Sequence, residues 1–243
     1  MRRLGQHFLS DPRILGRIVD ALNPQPRETV LEIGPGHGAL TEALLARGLQ
    51  VVAIEKDRRL AAALRGVRVV VGDALEIDWH DLAADKIVGN IPYYITSPLI
   101  DKALTPPLPE RVVFLVQAEV ADRIAASRGT KTYGALSVGV QSLCRVEKLF
   151  TVAAGAFRPP PKVRSAVVRF RPLAEPLIDP EEIAPFRQFV TACFSKRRKQ
   201  LKNAVPGVSV TDLEALGLDP ALRPERLSPG DFARLWRFAS RLG

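Results

Sequence analysis

A short apolar strand that leads into a glycine-rich loop and then a helix is the feature that most restricts the fold of this chain. Most of residues 29–33 are apolar or β-branched, and Gly34-Pro35-Gly36-His37-Gly38 follows them directly. A helical pattern then extends from Ala39 and ends at Gly48. Further short apolar runs, separated by helical stretches, lie at 51–54, 67–71, 86–88 and 112–116. This alternation predicts a mostly parallel sheet.

The last third of the chain has a different pattern. A rigid proline loop at 157–163 is followed by a run from Ser165 to Arg171 that alternates like an antiparallel edge strand. From Pro180 onward only helical patterns are present, and Ser228-Pro229-Gly230-Asp231 has the sequence of a helix cap. We therefore expect a sheet domain at residues 1–173 and a small all-helical domain at residues 174–243.

Length and composition exclude several classes of protein. The chain has 243 residues, enough for one large core and a modest second domain, and 47% of them are hydrophobic. No apolar run approaches the roughly 20 residues of a membrane span, and the basic start breaks at Asp11-Pro12 without a signal-peptide core. Cys144 and Cys193 are far apart, and the histidines show no metal-ligand spacing. We expect a cytoplasmic monomer with no membrane partner, disulfide or bound metal.

Basic residues occur in stretches that contain no acid. The formal net charge is +9, which favours an anionic partner. Residues 148–174 contain no acid but include Lys162 and Arg164, and residues 183–211 contain none but include Lys196-Arg197-Arg198-Lys199 and Lys202. A solvated helix face normally carries acids about four residues away from its basic residues. These runs therefore favour contact with phosphate.

Asn90-Ile91-Pro92-Tyr93 follows a short apolar run and has the composition of an amine-binding pocket. An exocyclic amine on a base is a poor nucleophile because its lone pair is delocalised into the ring, so an enzyme must hold it with acceptors only. Asn90 and the next backbone carbonyl supply two acceptors. Pro92 stiffens the turn without donating, and Tyr93 offers a flat face to a base taken out of its stack. The motif indicates N-methylation, although an isolated Asn-x-Pro is more often only a turn.

The glycine loop alone does not identify a bound nucleotide. Gly-x-Gly-x-Gly after a strand also suits dinucleotides, and Glu55 lies where either class of ligand would place a ribose-binding acid. Gly72-Asp73-Ala74 after the third strand and the Asn90 pocket after the fourth favour S-adenosylmethionine, because a hydride-transfer enzyme has no use for such a pocket. Glu32, just before the loop, is interpreted either as a buried acid that orders the loop amides or as a direct ligand contact, and the structural role is at least as well supported.

A series of motifs extends along essentially the whole chain. They are Gly5-Gln6-His7-Phe8-Leu9, the loop from Glu32 to Thr41, Glu55-Lys56-Asp57, Gly72-Asp73-Ala74-Leu75, Gly89-Asn90-Ile91-Pro92-Tyr93-Tyr94, Gln117-Ala118-Glu119-Val120-Ala121-Asp122-Arg123, Tyr133-Gly134-Ala135-Leu136-Ser137-Val138, Phe157 to Ser165, Phe194-Ser195-Lys196-Arg197-Arg198-Lys199 and Arg223-Pro224-Glu225-Arg226-Leu227-Ser228. With these motifs the chain resembles the KsgA-type small-subunit ribosomal RNA adenine N6,N6-dimethyltransferases. The resemblance implies a Rossmann-like class I methyltransferase fold, with a mostly parallel seven-stranded sheet, an antiparallel edge strand and a helical C-terminal domain.

The resemblance also implies an activity and assigns residues to it. The implied activity is S-adenosylmethionine-dependent dimethylation of two adjacent adenosines in a loop near the 3′ end of 16S rRNA, in a maturing small subunit. The implied cofactor positions, with those we add from the glycine loop and the third-strand motif, are His7, Leu9, Gly34, Gly36, Glu55, Asp73, Ala74 and Asn90. Phe157 resembles the second aromatic of the base pocket and would enclose the adenine with Tyr93. The residues expected to contact RNA are Lys162, Arg164, Lys196, Arg197, Arg198, Lys199 and Lys202, although Arg164 stands where the family commonly has an acid.

Two other functions remain open at this point. Large-subunit rRNA adenine methylases of the antibiotic-resistance kind share the Asn-x-Pro-Tyr pocket, but the proline loop at Phe157 and the Arg197-Arg198-Lys199 run favour the small-subunit enzyme. A non-catalytic RNA-binding factor built on a methyltransferase scaffold is the third possibility. The intact glycine loop, acids and pocket argue against it.

Overall fold

The computed structural model describes residues 7–241 of the chain. Contacts between residues divide the chain into two compact units. Within the described part, the first unit comprises residues 7–121 and 147–172, and the second comprises residues 122–146 and 173–241. The expected boundary after residue 173 lies within one residue of the last division. Residues 122–146, which we expected in the sheet domain, group with the helices instead.

The first unit is built around a seven-stranded sheet. Its strands are β2 (Thr29–Ile33), β3 (Gln50–Glu55), β4 (Arg68–Val71), β5 (Lys86–Asn90), β6 (Arg111–Gln117), β7 (Cys144–Val152, whose first residues belong to the second unit) and β9 (Ser165–Pro172). They lie in the order β4-β3-β2-β5-β6-β9-β7. The pairs from β4 to β6 are parallel, and β9 is antiparallel to β6. The predicted mostly parallel seven-stranded sheet is therefore confirmed.

We predicted that the run from Ser165 to Arg171 is the edge strand. The strand β9 is antiparallel as predicted, but β7 lies outside it and forms the edge of the sheet. The sequence of β7 gave no strand signal, since only its two end residues, Cys144 and Val152, are buried. The charges on this side of the sheet pair with one another. The Glu147 carboxylate accepts hydrogen bonds from the guanidinium groups of Arg169 and Arg171. A strand stabilised by such pairs does not appear as an apolar run.

Five helices connect these strands, and their starts follow from local sequence. They are α1 (Pro12–Ala21), α2 (Ala39–Leu45), α3 (Arg58–Ala63), α4 (Thr96–Ala103) and α5 (Ala118–Ile124, which crosses the division between the units). Asp11 caps α1 by accepting from the Arg13 amide, and Pro12 occupies the first helical turn. Asp57 caps α3 in the same way. Gly38 precedes α2 with φ of 86°, a left-handed conformation that favours glycine.

An apolar cluster joins helices and strands of the first unit. Ile18 and Leu22 of the α1 region and Leu44 of α2 pack with Val30 of β2 and Val88 of β5, all of them at most 2% exposed. The helices cover the sheet face that these strand residues occupy. The apolar side of each helix packs against the apolar side chains on that face. Two short antiparallel strands, β1 (Phe8–Leu9) and β8 (Phe157–Arg158), form a second sheet beside this core.

The second unit is helical in its described residues. Its helices are α6 (Ala135–Gln141), α7 (Ile183–Ser195), α8 (Leu201–Ala204), α9 (Val210–Ala215) and α10 (Pro229–Ala239). The predicted cap at Ser228 is confirmed, since its hydroxyl accepts from the Asp231 amide and the Asp231 carboxylate accepts from the Ser228 amide. Residues 122–146 join this unit through specific bonds, among them Tyr133 Oη to the Leu227 carbonyl at 2.9 Å. No described helix is both long and apolar enough to span a bilayer.

Candidate active site

A pocket in the first unit brings together most of the predicted site residues. It lies where the carboxyl ends of the parallel strands β2, β3 and β5 meet, which is where open α/β sheets place their ligands. Ten of the predicted cofactor and catalytic residues line it: His7, Gly34, Gly36, Glu55, Asp73, Ala74, Asn90, Ile91, Pro92 and Tyr93. Leu9 and Phe157 do not line it.

The glycine loop forms one wall and is held by an acid from the next strand. Gly34 and Gly36 have φ of 66° and 59°. The Gly36 amide donates to Glu55 Oε2 at 3.0 Å, and Glu55 Oε1 accepts from the Asp57 amide at 2.8 Å. Each Glu55 oxygen keeps one lone pair for a further donor. A Cβ on Gly36 would lie 2.7 Å from the Phe8 ring, so the loop and the N-terminal residues approach too closely for a side chain.

Glu32 is buried beneath the loop and does not line the pocket. It is 1% exposed, and its Oε2 accepts a hydrogen bond from the Thr41 hydroxyl of α2 at 2.6 Å. Burial, opposed by the Thr41 hydrogen bond and supported by the neighbouring Glu55 charge, raises the pKa of the Glu32 carboxyl to about 7. Glu32 thus anchors the helix after the loop, rather than the loop amides that we expected it to order.

Asp73, which follows β4, also lines the pocket and is engaged by two donors. Its Oδ1 accepts from the Leu75 amide at 3.0 Å, and its Oδ2 accepts from the Lys56 ammonium at 2.6 Å. The Lys56 bond, followed by the Leu75 amide, lowers the pKa of the Asp73 carboxyl. The same bond raises the pKa of Lys56. Asp73 is therefore a carboxylate acceptor with a solvent-exposed cation beside it, since the Lys56 side chain is 63% exposed.

The Asn90 motif presents acceptors and a flat ring to the pocket. The carbonyls of Pro92 and Tyr93 are occupied, by the Ile95 amide and by the Thr96 hydroxyl respectively. No described residue donates to the Ile91 carbonyl, whose own amide is bonded to the Leu115 carbonyl across the sheet. The Tyr93 hydroxyl is 2.6 Å from Ser165 Oγ, which fixes the ring.

Phe157 and Leu9 have structural positions instead of pocket positions. The Phe157 side chain is 1% exposed and the Leu9 side chain 5%, and both belong to the apolar core. In this structure the Phe157 ring is thus not available to enclose a base with Tyr93. The reason is its place in β8, where Phe157 pairs with Leu9 and turns its ring into the core. The proline loop contributes a main-chain group to the site, because the Pro159 carbonyl accepts a hydrogen bond from His7 Nδ1 at 2.9 Å.

The predicted RNA-contacting residues divide between the two units. Lys162 and Arg164 are exposed in the first unit, and Lys196, Arg198, Lys199 and Lys202 are exposed in the second. Arg197 is different, because its guanidinium donates to the Lys131 carbonyl at 2.8 Å and lies 3.6 Å from the Glu225 carboxylate. Its charge is thus engaged inside the second unit.

Sequence reasoning missed eight residues that line the pocket, and Phe8, Lys56 and Tyr94 are the aromatic and charged ones among them. Each of these three is adjacent in sequence to a predicted site residue, and this adjacency could have indicated that it also lines the pocket. Tyr94 is 66% exposed at the rim, a large aromatic surface left open to solvent.

Elsewhere, burial raises the pKa of the Cys144 and Cys193 thiols to about 12, so neither is a thiolate at neutral pH. No cluster of three metal-ligating side chains is present among residues 7–241.

Two curated relatives resemble the chain over almost its full length. The ribosomal RNA small subunit methyltransferase A of Hahella chejuensis is 42% identical over 96% of this chain and 90% of its own length. The protein of the same description from Pseudomonas aeruginosa is 43% identical over 96% of this chain and 92% of its own length.

Solved structures and a family profile agree with these relatives. A dimethyladenosine transferase from Plasmodium falciparum superposes with a TM-score of 0.85 at 29% identity and covers 98% of both chains. The 23S rRNA methyltransferase ErmE superposes with a TM-score of 0.75 at 30% identity, over 96% of this chain and 99% of its own. The profile described as ribosomal RNA adenine dimethylase matches residues 1–240. The chain belongs to the ribosomal RNA adenine dimethylase family.

Proposed function

We propose that the chain dimethylates the N6 amines of two adjacent adenosines in a loop near the 3′ end of 16S rRNA, using S-adenosylmethionine. The observation that carries the proposal is the part of the pocket formed by the Asn90 motif, where Asn90 and Ile91 line the site and no described residue donates to the Ile91 carbonyl. Such a pocket suits an amine that must present its lone pair and repels a group with acceptors at the same place.

The pocket residues at the ends of β2, β3 and β4 fit S-adenosylmethionine, which supplies the methyl group when bound. Gly34 lines the pocket without a Cβ, and a Cβ there would meet no protein atom within 4 Å, so the backbone of the glycine loop can be approached closely by a ligand. Glu55 is placed to accept from ribose hydroxyls and Asp73 from an adenine amine, because both are carboxylates that line the same pocket. His7, Gly34 and Ala74 complete the proposed cofactor site, and Leu9 supports it from the core.

In the proposed mechanism the chain orients the amine and provides no strong base. Asn90 Oδ1 and the Ile91 carbonyl accept its two hydrogens and thereby turn the lone pair toward the methyl donor. Pro92 adds no competing donor, since it has no N–H. The Tyr93 ring, held by Ser165, carries the flipped base. After transfer the nitrogen is cationic and acidic, so its proton passes to water before the second round.

For the RNA we propose phosphate contacts from the exposed basic residues. They are Lys162 and Arg164 in the catalytic domain at residues 1–173, and Lys196, Arg198, Lys199 and Lys202 in the helical domain at residues 174–243. Arg197 acts indirectly in this proposal, because its charge is engaged by Glu225. We further propose that the protein acts as a cytoplasmic monomer on a maturing small subunit.

The second candidate function is methylation of large-subunit RNA, and the similarity to ErmE is the observation that favours it. The 42% and 43% identities to small-subunit methyltransferases support the first candidate more strongly. Expression in a sensitive bacterium separates the two, because methylation of large-subunit RNA of the resistance kind protects against macrolides. We expect no protection.

The Asn90→Ala variant tests the mechanism. Loss of the side-chain acceptor should lower the single-turnover rate by about 100-fold, the effect of removing one well-placed polar group, with little change in RNA affinity. Asn203→Ala is the matched comparison, since it makes the same substitution at an exposed residue that does not line the pocket. A near-normal rate for Asn90→Ala would remove Asn90 from the mechanism.

A further inference from the structure

The first residues described by the structure form a strap over the pocket, which we define as His7–Ser10. Its β1 residues pair with β8, so that Phe8 lies opposite Arg158 and Leu9 opposite Phe157. At its ends the Ser10 amide donates to the Ala156 carbonyl at 2.9 Å, and His7 Nδ1 donates to the Pro159 carbonyl at 2.9 Å. These bonds hold the strap in place along the proline loop.

The strap also contacts both functional walls of the pocket. The Phe8 ring lies 4.2 Å from the His37 ring, between centroids, and against Gly36 of the glycine loop. On the other side the Asn90 side-chain amide donates to the His7 main-chain carbonyl at 2.8 Å. One short segment therefore connects the proposed cofactor loop with the residue proposed to hold the amine.

The bond to His7 determines which way the Asn90 amide faces. A main-chain carbonyl only accepts, so the group of Asn90 that lies against it must be the NH2 and not the oxygen. The Oδ1 atom is then directed away from His7, and no described residue donates to it. Without the carbonyl the amide would have two orientations of similar energy, because its oxygen and nitrogen have almost the same shape.

We propose that the strap is a positioning element for catalysis, in which the His7 main-chain carbonyl selects the Asn90 orientation that offers Oδ1 to the substrate amine. The reversed orientation would place an NH2 donor against the amine hydrogens and leave the lone pair misdirected. The kinetic part of this inference rests on the proposed function. The orientation itself does not, so the two are tested separately.

Selective labelling makes the orientation measurable in the full-length protein. The sequence contains three asparagines, Asn23, Asn90 and Asn203, so 15N-asparagine labelling gives three side-chain NH2 signals, and Asn90→Ala identifies the relevant one. We expect the Asn90 NH2 signal to show a nuclear Overhauser contact with the strap and to exchange with water at least about tenfold more slowly than a free asparagine. An Asn90 signal with the exchange rate of a free side chain and no contact to the strap would overturn the inference.

A matched pair of shortened chains isolates the His7 carbonyl. One chain begins with methionine at position 6 and carries Phe8→Met, so it keeps His7. The other begins with methionine at position 8 and lacks the His7 carbonyl, while its residue 8 is the same. We expect the Asn90 signal to remain protected in the first chain and to lose its protection in the second. Equal protection in both would contradict the role of the carbonyl, and the full-length measurement decides the matter if the shorter chain does not fold.

The same pair provides the kinetic test with S-adenosylmethionine and unmethylated small subunits. With both substrates saturating, we expect the chain that lacks the carbonyl to react about tenfold more slowly, with RNA affinity within about twofold of its partner. A merely structural strap would change affinity or stability instead. Equal rates of methyl transfer in the two chains, with the Asn90 NH2 signal unprotected in the shorter one, would overturn the positioning role. A protected amide in a protein that transfers no methyl group would leave the orientation standing and refute the proposed function.

Discussion

The buried acid Glu32 makes the stability of this protein depend on pH in a direction opposite to that of most carboxylates. Its pKa is raised from 4.5 to about 7, mainly by burial. The neutral form is therefore favoured in the folded state. The resulting stabilisation is fully present below pH 4.5 and is lost as the pH rises through 7. Each pKa unit corresponds to about 1.4 kcal/mol, so the loss between pH 5 and pH 8 is on the order of 2.5 kcal/mol.

The perturbation that isolates this effect is Glu32→Gln. Glutamine has nearly the same shape and can still accept from Thr41, but it does not titrate. Urea unfolding of both proteins at several pH values between 5 and 8 gives the free energy of unfolding of each. We expect the difference between the variant and the natural protein to move in favour of the variant by on the order of 2.5 kcal/mol over this range. A difference that stays constant with pH would refute the reasoning, since Glu32 would then have the same pKa in the folded and unfolded states.

Four further substitutions test other parts of the structure. Gly36→Ala should destabilise the protein by about 1–2 kcal/mol in thermal unfolding and weaken cofactor binding in calorimetry, because φ is 59° and the Phe8 ring is in the way. Arg197→Ala should lower the unfolding free energy with little effect on the salt dependence of RNA binding. Arg198→Ala should leave the unfolding free energy nearly unchanged and reduce the salt slope of RNA binding by about one. Equal salt slopes for the two variants would contradict this division of roles. Cys193→Ser should leave the slow reaction of the native protein with thiol reagents at pH 8 unchanged, since burial already holds the pKa of that thiol at about 12.

Features encoded by local sequence could be predicted. The alternation of apolar runs and helical stretches gave the sheet, because residues close in sequence set the period of each element. The Gly34–Gly38 loop, Glu55, Asp73 and Asn90 each lie at or just after the end of a strand. Parallel strands end at the same edge, so their meeting in one pocket follows from the strand pattern.

Features that depend on distant partners could not be predicted. The strand β7 is stabilised by ion pairs from Glu147 to residues more than twenty positions away, and in its sequence the charges of Arg145, Glu147 and Lys148 interrupt the apolar residues. The Phe157 ring lies in the core because its strand pairs with Leu9 at the other end of the chain. The bond from Asn90 to His7 uses a main-chain carbonyl, which any residue type would supply, so it leaves no mark in the sequence.

The measurement that tests the central claim most directly is methyl transfer from labelled S-adenosylmethionine to unmethylated small subunits, large subunits and free rRNA. Nucleoside analysis of the products then identifies the modified base. The account predicts N6,N6-dimethyladenosine in the 16S rRNA of small subunits and no label in large subunits. Label in large-subunit RNA would contradict the proposed substrate. Absence of label from all three RNAs, in a protein that binds S-adenosylmethionine, would contradict the proposed reaction.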